Sequence, residues 1–574
     1  MDIIEYKNYS LSFGETEILK NINFKVKENS IIGIIGESGS GKTVTGMSLV
    51  GLLQNKKQSG EILFKGKNVI DYTEEEKEKI RGKEIGIVFQ DPLSSLDPLY
   101  KVEDALIEAL IKDKSINKIE AKKLALDMLT KVGISDGEEV LKMYPHQLSG
   151  GMRQRILIGA SLLLNPEVLI ADEITTALDV TIQAQILELI KKIKKEKNMT
   201  VVIITHDLGV CAEICDYIVV MKDGKVIETG DVFSIFENPK EKYTKELLEI
   251  NKENYIEENT ILEEDIVLAG KKLTKEFFET KGLFNKKKDG LKAVDDISFK
   301  LLKGETLGIV GESGSGKSTL GKLIVRLLEC DSGEIILHKE NFSKVKGKEL
   351  KKLRSKIQMV FQDPYSSLNP TMNIKEIMLE GIIQNKIYEK KIAEEKIIEL
   401  LNICGLRKED LYKYPREFSG GQCQRICIAR ALSLKPEIIV LDEAISSLDI
   451  KTRNSIIQLL KKIQREYKTS YIFISHDLEW IRKISHRIMI MYLGSVMEEG
   501  EREKIYNNPK HPYTKSLMNS IPVKNPKDRR SRELLEGEIP SGRNLPKGCK
   551  FYTRCKERKD ICKNEKPKFC FLYE

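Results

Sequence analysis

The stretch GESGSGK occurs twice in this chain, at 36–42 before Thr43 and at 311–317 before Ser318. Both copies fit the pattern G-x-x-x-x-G-K-[ST], and each follows a β-branched, apolar run, as a strand–loop–helix phosphate cradle requires. Glycine lets the backbone N–H groups of such a loop turn inward around phosphate oxygens, and the following helix adds positive potential. One glycine- and serine-rich turn need not bind anything, but two near-identical copies in matching contexts predict two nucleotide-phosphate sites.

The predicted phosphate ligands are the glycines and serines of the loops together with the lysine that ends each loop. Lys42 and Lys317 are expected to reach the β- and γ-phosphates, and the hydroxyls of Thr43 and Ser318 to bind Mg²⁺. The other loop residues predicted to contact the nucleotide are Gly36, Ser38, Gly39 and Gly41 in the first copy and Gly311, Ser313, Gly314 and Gly316 in the second.

Length and composition predict several domains and no membrane span. The 574 residues are enough for several hydrophobic cores. No apolar run is long enough to cross a bilayer, and the start MDIIEYKNYS lacks the order of a signal peptide. We therefore expect a soluble, cytoplasmic protein. The formal net charge of +8, from 95 basic and 87 acidic residues, suits a place beside an anionic inner leaflet.

The two halves of the chain repeat the same landmarks in the same order. The phosphate loops are 275 residues apart, and the later SGG and His landmarks are 270 residues apart, so the chain is a tandem repeat of two long units. Short apolar strands alternate with helical segments such as Lys101–Gly133 and Lys375–Cys404, which predicts a parallel α/β core with an inserted helical subdomain. The paired landmarks are VFQDPLSSLDP (88–98) and VFQDPYSSLNP (360–370), LSGGMRQR (148–155) and FSGGQCQR (418–425), VLIADE (168–173) and IIVLDE (438–443), ALD (177–179) and SLD (447–449), and ITHD (204–207) and ISHD (474–477).

These motifs resemble, in identity and order, the ATP-binding cassette of ABC transporters, with Walker A, Q-loop, LSGGQ-type signature, Walker B, D-loop and H-loop in both halves. The form FQDPxSSLxP is similar to that of the ATPase subunits of oligopeptide, dipeptide, nickel and glutathione importers, here two subunits fused. The resemblance covers most of the chain. It implies an α/β fold with two P-loop NTPase cassettes, each with a parallel sheet core, an antiparallel β subdomain and a helical subdomain.

The domain boundaries follow from the repeat. We predict a first cassette at 1–250, a linker at 251–265, a second cassette at 266–520 and a cysteine-containing, oligopeptide-transporter-type tail at 521–574. The chain is charged and weakly patterned from Gly230 to Asp265. Its roughly 35 residues would span about 30 Å as a random coil, which holds the cassettes at high effective concentration and favours an intramolecular cassette dimer.

Paired acidic residues at strand ends predict the hydrolytic centres. Asp172 and Asp442 end buried-strand runs, where a carboxylate can hold Mg²⁺, and Glu173 and Glu443 follow directly, suited to polarising the attacking water. An acidic pair at a strand end is elsewhere often a helix cap, but its place after a phosphate loop favours catalysis. The resemblance adds the γ-phosphate contacts His206 and His476, and the Mg²⁺- and water-sensing residues Gln90 and Gln362.

The SGG turns predict an anion site at the start of a helix. In the family this turn faces the phosphate loop of the opposite cassette, so the resemblance implies two composite ATP sites. Neither lacks a member, and we expect both to hydrolyse ATP. Phe13 and Phe277 resemble the aromatic residue that stacks on adenine, although an aromatic near a strand end is as often part of a core. The turn residues are Ser149, Gly150 and Gly151 in the first half and Ser419, Gly420 and Gly421 in the second.

The ten cysteines fall into two groups. Six are expected to be ordinary buried residues: Cys211, Cys215, Cys330, Cys404, Cys423 and Cys427. The other four, Cys549, Cys555, Cys562 and Cys570, lie among basic and turn-forming residues, which favours metal or cluster ligation over burial in an apolar core. From the residues alone, zinc, an iron–sulfur cluster and a disulfide pair stay open. The segment resembles the cysteine module of peptide-importer ATPases, which implies a stabilising [4Fe–4S] cluster, with zinc or no metal as alternatives.

The leading functional hypothesis is the energy-coupling ATPase of a membrane importer. It would lie on the cytoplasmic face of the membrane and act on two separate permease subunits, which receive solute from an extracytoplasmic binding protein; no nucleic acid is involved. The rival is a soluble tandem-cassette ATPase that acts on ribosomes or nucleic acid. Against it, the linker lacks a long charged helical hairpin, and the FQDPxSSLxP loops are similar to those of importers. Peptide, glutathione, nickel or a metal chelate would all fit these cassettes.

Overall fold

A computed structural model describes the chain except residues 90–94, 115, 135, 176–177, 250–262, 279, 282–285, 288–289, 447, 533, 536, 538–539, 541–544 and 567–574. The chain divides into two compact units. The first consists of Met1–Leu178, Ile182–Lys252 and Pro522–Arg532, and the second of Asp179–Thr181, Glu253–Ile521 and Glu533–Glu574.

The first repeat alternates strands and helices in the order that its sequence predicts. Its strands are β1 Asp2–Phe13, β2 Thr16–Lys27, β3 Ile31–Ile35, β4 Lys56–Phe64, β5 Lys67–Asn68, β6 Ile85–Val88, β7 Val168–Asp172, β8 Thr200–Thr205, β9 Tyr217–Lys222 and β10 Lys225–Asp231. Its helices are α1 Lys42–Leu49, α2 Glu74–Ile80, α3 Val102–Lys114, α4 Lys118–Lys131, α5 Gly137–Val140, α6 Gly150–Leu162, α7 Val180–Lys197, α8 Leu208–Ile214, α9 Val232–Glu237 and α10 Lys242–Glu249.

Two sheets form the first unit. The core sheet has the order β10-β9-β3-β8-β7-β6, parallel except for β10, and the second sheet is antiparallel with the order β2-β1-β4-β5. Strand β3 is buried along its whole length, as parallel strands covered on both faces are. Because side chains alternate along a strand, Ile31 and Ile35 pack with the helices while Ile32 and Ile34 pack against the antiparallel sheet. The parallel sheet therefore lies between the two other layers.

The second repeat builds the same layers. Its core sheet has the order β18-β19-β20-β15-β21-β22 and its antiparallel sheet the order β14-β11-β16-β17. The strands are β11 Glu263–Phe277, β12 Thr280–Lys281, β13 Lys286–Lys287, β14 Leu291–Lys303, β15 Thr306–Val310, β16 Ser332–Leu337, β17 Glu340–Asn341, β18 Ile357–Val360, β19 Ile438–Asp442, β20 Ser470–Ile474, β21 Arg487–Tyr492 and β22 Ser495–Glu501. The helices are α11 Lys317–Ile324, α12 Gly347–Lys356, α13 Pro364–Ser367, α14 Ile374–Asn385, α15 Lys390–Ile403, α16 Gly420–Leu432, α17 Ile450–Tyr467, α18 Leu478–Ile484, α19 Arg502–Asn507, α20 Pro512–Asn519 and α21 Ile561–Asn564. The predicted α/β fold with two cassettes is confirmed.

The two predicted helical segments each consist of two helices. The segment Lys101–Gly133 corresponds to α3 and α4, and the segment Lys375–Cys404 corresponds to α14 and α15. Asn117 starts α4 by accepting the backbone N–H of Glu120 at 2.9 Å. Lys386 ends α14 in the left-handed region, with φ of 54°. The side-chain cap begins a new helix and the left-handed residue ends one, and periodicity alone reveals neither boundary.

Only the last residues of the predicted linker can be compared with the structure. Most of 251–265 lies outside the described residues, and β11 already begins at Glu263. Within the described part of the chain, no helix is both long and apolar enough to cross a membrane.

A segment from the predicted tail completes the first unit. We call Pro522–Arg532 the strap; it follows the second cassette in sequence but belongs to the first compact unit. Its Arg532 forms an ion pair with Glu213 at 2.5 Å, and both side chains are only 3% exposed. The strap residue Arg529 donates to the backbone carbonyls of Ala212 and Cys215 at 2.7 and 2.5 Å. At the repeat offset of 270, Lys483 occupies the position of Glu213, so the strap's cations complement the first repeat only.

The strap pair predicts a stability effect confined to one of two arginines. Arg532→Met leaves the buried Glu213 carboxylate with Lys191, 3.0 Å away, as its remaining cation. The lost charged hydrogen bond costs about 2 kcal/mol and lowers the thermal midpoint of the first unit by roughly 5 °C. Arg530→Met is the matched control, because Arg530 is exposed on the same segment. Calorimetric scans of the two full-length variants measure the difference, and equal midpoints would contradict a stabilising role for the strap.

Candidate functional site

Each phosphate loop connects the first central strand of its core sheet to a helix. The first loop joins β3 to α1, and the second joins β15 to α11. The glycine before each lysine is left-handed, with φ of 96° at Gly41 and 95° at Gly316. A Cβ atom at Gly316 would lie 2.0 Å from the carbonyl oxygen of Ala293, so only glycine fits there. The tight turn at this point sets the first helical N–H groups at the end of the strand, as a phosphate cradle needs.

The loop lysines are buried and held by their own loops. Each ammonium donates to the carbonyl oxygens of the first two loop residues, at 2.9 and 2.8 Å for Lys42 and at 2.7 and 3.0 Å for Lys317. Both lysines are 5% exposed. Burial lowers the pKa of the Lys317 ammonium, and the charges of nearby carboxylates oppose that shift. Each loop therefore fixes a cation inside the turn that is predicted to hold phosphates.

The predicted Mg²⁺ ligands are joined by hydrogen bonds in both cassettes. Thr43 Oγ1 donates to Asp172 Oδ1 at 3.2 Å, and Ser318 Oγ donates to Asp442 Oδ1 at 2.8 Å. Burial raises the pKa of Asp172 to about 6, with the Thr43 hydrogen bond opposing and the adjacent Glu173 charge adding to the shift. Burial likewise raises the pKa of Asp442. A carboxylate that is costly to ionise in this place is stabilised by a divalent cation.

The hydroxyl and carboxylate of each cassette fit magnesium better than a metal ion whose ligands all come from the protein. In the described part of the chain, no group of three or more His, Cys, Asp or Glu side chains is arranged to hold a metal ion. One hydroxyl and one carboxylate in each cassette nevertheless suit Mg²⁺, because this ion keeps several waters and takes other ligands from substrate phosphates.

The predicted catalytic glutamates have the same unusual backbone geometry. Glu173 and Glu443 both have φ of 47°, in the left-handed region, and their N–H groups donate to the adjacent strand at 2.8 and 2.9 Å. Such a conformation costs about 1–3 kcal/mol and persists where its surroundings hold it. The Nδ1 atom of His206 lies 3.2 Å from Glu173 Oε1, and that of His476 lies 3.3 Å from Glu443 Oε1. The glutamate and histidine of each half are therefore brought together.

The second centre also contains its predicted glutamine. Gln362 Nε2 donates to Glu443 Oε2 at 2.7 Å. Burial would raise the pKa of Glu443, but the hydrogen bond with His476 and the charge of Lys317 outweigh it, so this pKa lies below its usual value. Glu443 is thus an ionised hydrogen-bond acceptor at neutral pH. The corresponding Gln90 lies outside the described residues.

The SGG turns lie at the N-termini of two matched helices. Ser149 begins α6 by accepting the N–H of Met152 at 3.2 Å, and Ser419 begins α16 by accepting that of Gln422 at 3.4 Å. Gln422 completes a reciprocal cap by accepting the N–H of Ser419 at 3.0 Å. Methionine stands at the corresponding position of the first repeat, so only the second turn has this additional bond.

The two aromatic candidates lie at strand ends but differ in their surroundings. Phe13 ends β1 and packs partly against the core between the sheets. Phe277 ends β11 and is 42% exposed, with the Lys275 ammonium 5.9 Å from its ring centroid. Stacking on adenine stays a prediction for both residues.

The tail cysteines are less exposed than expected. Cys549 is buried, in contact with the hydrophobic core of the second unit, so its expected place outside an apolar core is wrong. Its N–H donates to the carbonyl of Cys562 at 2.8 Å, and Cys555 is half-buried nearby. Burial raises the pKa of both the Cys549 and the Cys555 thiol. Cys570 lies outside the described residues.

Five of the other six cysteines are buried, as expected. Cys330 differs, because it is only partly buried and its thiol donates to the carbonyl of Gly333 at 3.7 Å.

Sequence reasoning missed a buried ion pair on the second phosphate loop. Glu312, the second residue of that loop, binds Arg554, which directly precedes Cys555, at 2.8 Å. The two side chains are 2% and 5% exposed. The motif GESGSGK contains the glutamate, but nothing near it in sequence identifies its partner. The arginine that binds it lies more than 240 positions away.

Comparisons with known proteins agree with this geometry. The family model "ABC transporter" matches residues 19–176 and 294–446, and the model "Oligopeptide/dipeptide transporter, C-terminal region" matches residues 497–562. The glutathione import ATP-binding protein GsiA of Salmonella typhimurium is 41% identical over 94% of this chain and 93% of that protein. The protein of the same name from Escherichia coli O6:H1 is 40% identical over 95% of this chain and 93% of that protein. This chain therefore belongs to the ABC transporter family, with two ATP-binding cassettes and an oligopeptide/dipeptide transporter C-terminal region in one polypeptide.

Proposed function

We propose that this ABC ATPase powers the import of glutathione or a related peptide through separate permease subunits. The observation that carries the proposal is its 40–41% identity, over more than nine-tenths of both chains, to proteins named for glutathione import. The match of residues 497–562 to the oligopeptide/dipeptide transporter region supports a peptide-like solute. The protein would act on the cytoplasmic face of the membrane, with two permeases and an extracytoplasmic solute-binding protein.

In the proposed mechanism, ATP is held by backbone groups and cleaved by an oriented water. The loop N–H groups and Lys42 or Lys317 bind the phosphates, and the hydroxyl–carboxylate pairs of Thr43 and Ser318 hold the metal. Mg²⁺, when bound, neutralises charge on the β- and γ-phosphate oxygens. The protein forms no covalent bond to the phosphate in this mechanism. Most of the rate enhancement comes from positioning the reactants and from electrostatic stabilisation of the transition state.

We propose the adjacent glutamates as the residues that orient the attacking water. Glu173 and Glu443 each accept a hydrogen bond from water on its way to the γ-phosphate, and the neighbouring His206 and His476 hold the carboxylates in place. The distances of 3.2 and 3.3 Å between histidine and glutamate support the holding role of the histidines, because a base needs a fixed orientation to activate water. The SGG turns of 149–151 and 419–421 remain predicted partners of the opposite phosphate loop.

The rival function, action on ribosomes or nucleic acid, has no observation in its favour. The relatives reported above are named as import proteins, and the C-terminal match is to a transporter region. We therefore propose the importer alone.

Equal sites predict equal losses. Glu173→Gln and Glu443→Gln remove a carboxylate from one centre each and should slow hydrolysis at that centre about a hundredfold or more. Because the other centre stays intact, each variant should lose at least about half of the steady-state ATP hydrolysis of the chain. Glu167→Gln and Glu437→Gln are matched controls. Each of these glutamates lies just before the first residue of the same strand, β7 or β19, and is not buried. Phosphate release from the purified full-length chain measures all four. Full activity in either catalytic variant would contradict two equal sites.

The importer assignment predicts membrane partners and a transported solute. The tagged chain should co-purify with two polytopic membrane proteins, and cells that contain the complex should accumulate radiolabelled glutathione. Lys42→Ala combined with Lys317→Ala should abolish that uptake, because both loops lose their phosphate-binding cation. Co-purification with ribosomes and no uptake of glutathione or dipeptides would contradict the assignment.

We also propose that the tail thiolates hold a [4Fe–4S] cluster. The backbone hydrogen bond between Cys549 and Cys562, with Cys555 half-buried in the same short segment, supports the proposal, because cluster iron binds cysteines that lie close together and deprotonates them. The three described cysteines do not by themselves form a ready metal group. The segment therefore needs a fourth ligand or a rearrangement before it holds a cluster.

Cluster binding predicts a coloured protein. Anaerobic purification should give a brown chain with about four iron atoms and broad thiolate-to-iron absorbance. Cys555→Ser should lose most of the colour, whereas Cys330→Ser, away from the tail, should retain it. A colourless chain that contains zinc would contradict the cluster and favour a structural zinc site.

A further inference from the structure

The second phosphate loop contains a carboxylate that is held by residues 549–562, which we call the cysteine segment. Glu312 lies between Gly311 and Ser313 and is almost fully buried. Arg554 binds it with both terminal nitrogens, Nη1 at 2.8 Å from Oε2 and Nη2 at 3.3 Å from Oε1. This two-point geometry fixes the carboxylate in orientation as well as position.

Arg554 is itself held against the second unit. It ends the short helical turn Tyr552–Arg554, which directly follows the buried residues Cys549, Lys550 and Phe551. The Phe551 ring packs edge-on against Tyr492, with centroids 5.4 Å apart. Lys550 Nζ donates to the carbonyl of Leu493 at 2.6 Å. The cysteine segment is therefore seated on the second unit, next to the arginine that reaches the loop.

The remaining contacts of Glu312 anchor the same short stretch. Its N–H donates to the hydroxyl of Tyr513 at 3.2 Å. Thr181 Oγ1 donates to its Oε1 at 2.5 Å, and the next N–H, of Ser313, donates to Asp179 Oδ2 at 3.4 Å. Arg554 is the cation among the groups that hydrogen-bond this carboxylate in the described part of the chain.

The first loop has the same backbone anchor, and its repeat is followed by a different segment in sequence. The N–H of Glu37 donates to the hydroxyl of Tyr243 at 3.2 Å, which matches the pairing of Glu312 with Tyr513. After its last helix, α10, the first repeat continues into the predicted linker, whereas the second continues into the four-cysteine tail. The arginine bond thus comes from a segment that only the second repeat possesses.

A carboxylate beside a bound polyphosphate opposes binding unless a cation neutralises it. The effect is large when the group is buried, because charges interact more strongly away from water. We propose that Arg554 is a positioning residue for the second nucleotide site, so that ATP binding at 311–318 depends on the cysteine segment while binding at 36–43 does not. The inference depends on the proposed assignment of both loops to ATP.

The test measures ATP affinity one loop at a time in the full-length chain. Lys42→Ala leaves the second loop as the intact site, and Lys317→Ala leaves the first. With ATP and Mg²⁺ as the titrant in calorimetry, Arg554→Ala should weaken binding about tenfold or more in the Lys42→Ala background. In the Lys317→Ala background, the same change should leave the affinity unaltered.

Three further variants separate positioning from general damage. Arg558→Ala is the matched control, because Arg558 is exposed on the same segment, and it should leave both affinities unchanged. Arg554→Lys should restore part of the affinity, since it keeps the charge without the two-point bond. Glu312→Gln should make the loss from Arg554→Ala much smaller, because the arginine then has no buried charge to neutralise.

Each outcome has one meaning. If Arg554→Ala leaves affinity unchanged in the Lys42→Ala background, or weakens both loops equally, the positioning role is wrong. If neither lysine substitution lowers the number of ATP molecules bound, the assignment of the loops is wrong instead. A variant that fails to give the circular dichroism spectrum of the parent is replaced by Arg554→Lys, whose affinity then decides between the same results.

Discussion

The hydrogen bond between a helix hydroxyl and a strand carboxylate holds each centre together. Thr43 and Asp172 in the first cassette, and Ser318 and Asp442 in the second, come from elements that are far apart in sequence. The core sheet brings the two groups together, because its parallel strands all end at one edge, where the phosphate loop, the acidic pair and the histidine lie. A sheet with another strand order would separate these residues without changing any motif.

Local chemistry explains why the sequence predicted so much of this edge. The left-handed glycines before Lys42 and Lys317, and the buried runs ending at Asp172 and Asp442, are signals that lie within a few residues of the groups they position. The pairing of Glu443 with His476 follows from sheet topology, and topology follows from the repeated pattern of strands and helices. The spacing of the motifs was therefore enough to predict the fold and most of the residues that lie together at the candidate site.

The parts that were not predicted depend on distant partners. Arg532 has no neighbour in sequence that marks it as the partner of Glu213, and Arg554 has none that marks it as the partner of Glu312. The burial of Cys549 follows from the aromatic residues of the second unit, which its own basic surroundings do not indicate. Helix breaks at Asn117 and Lys386 are local, but periodicity averages over them. A buried ion pair is chosen by three-dimensional packing, and composition alone cannot select it.

The strap also bears on how the chain folds during synthesis. Pro522–Arg532 belongs to the first unit but is made about 270 residues after the rest of it. At roughly 5–20 residues per second, a ribosome adds that stretch in about 15–50 s. During this interval the surface around Glu213 leaves the ribosome before its arginine exists. The first unit is therefore completed by a segment that is synthesised only after the whole second cassette.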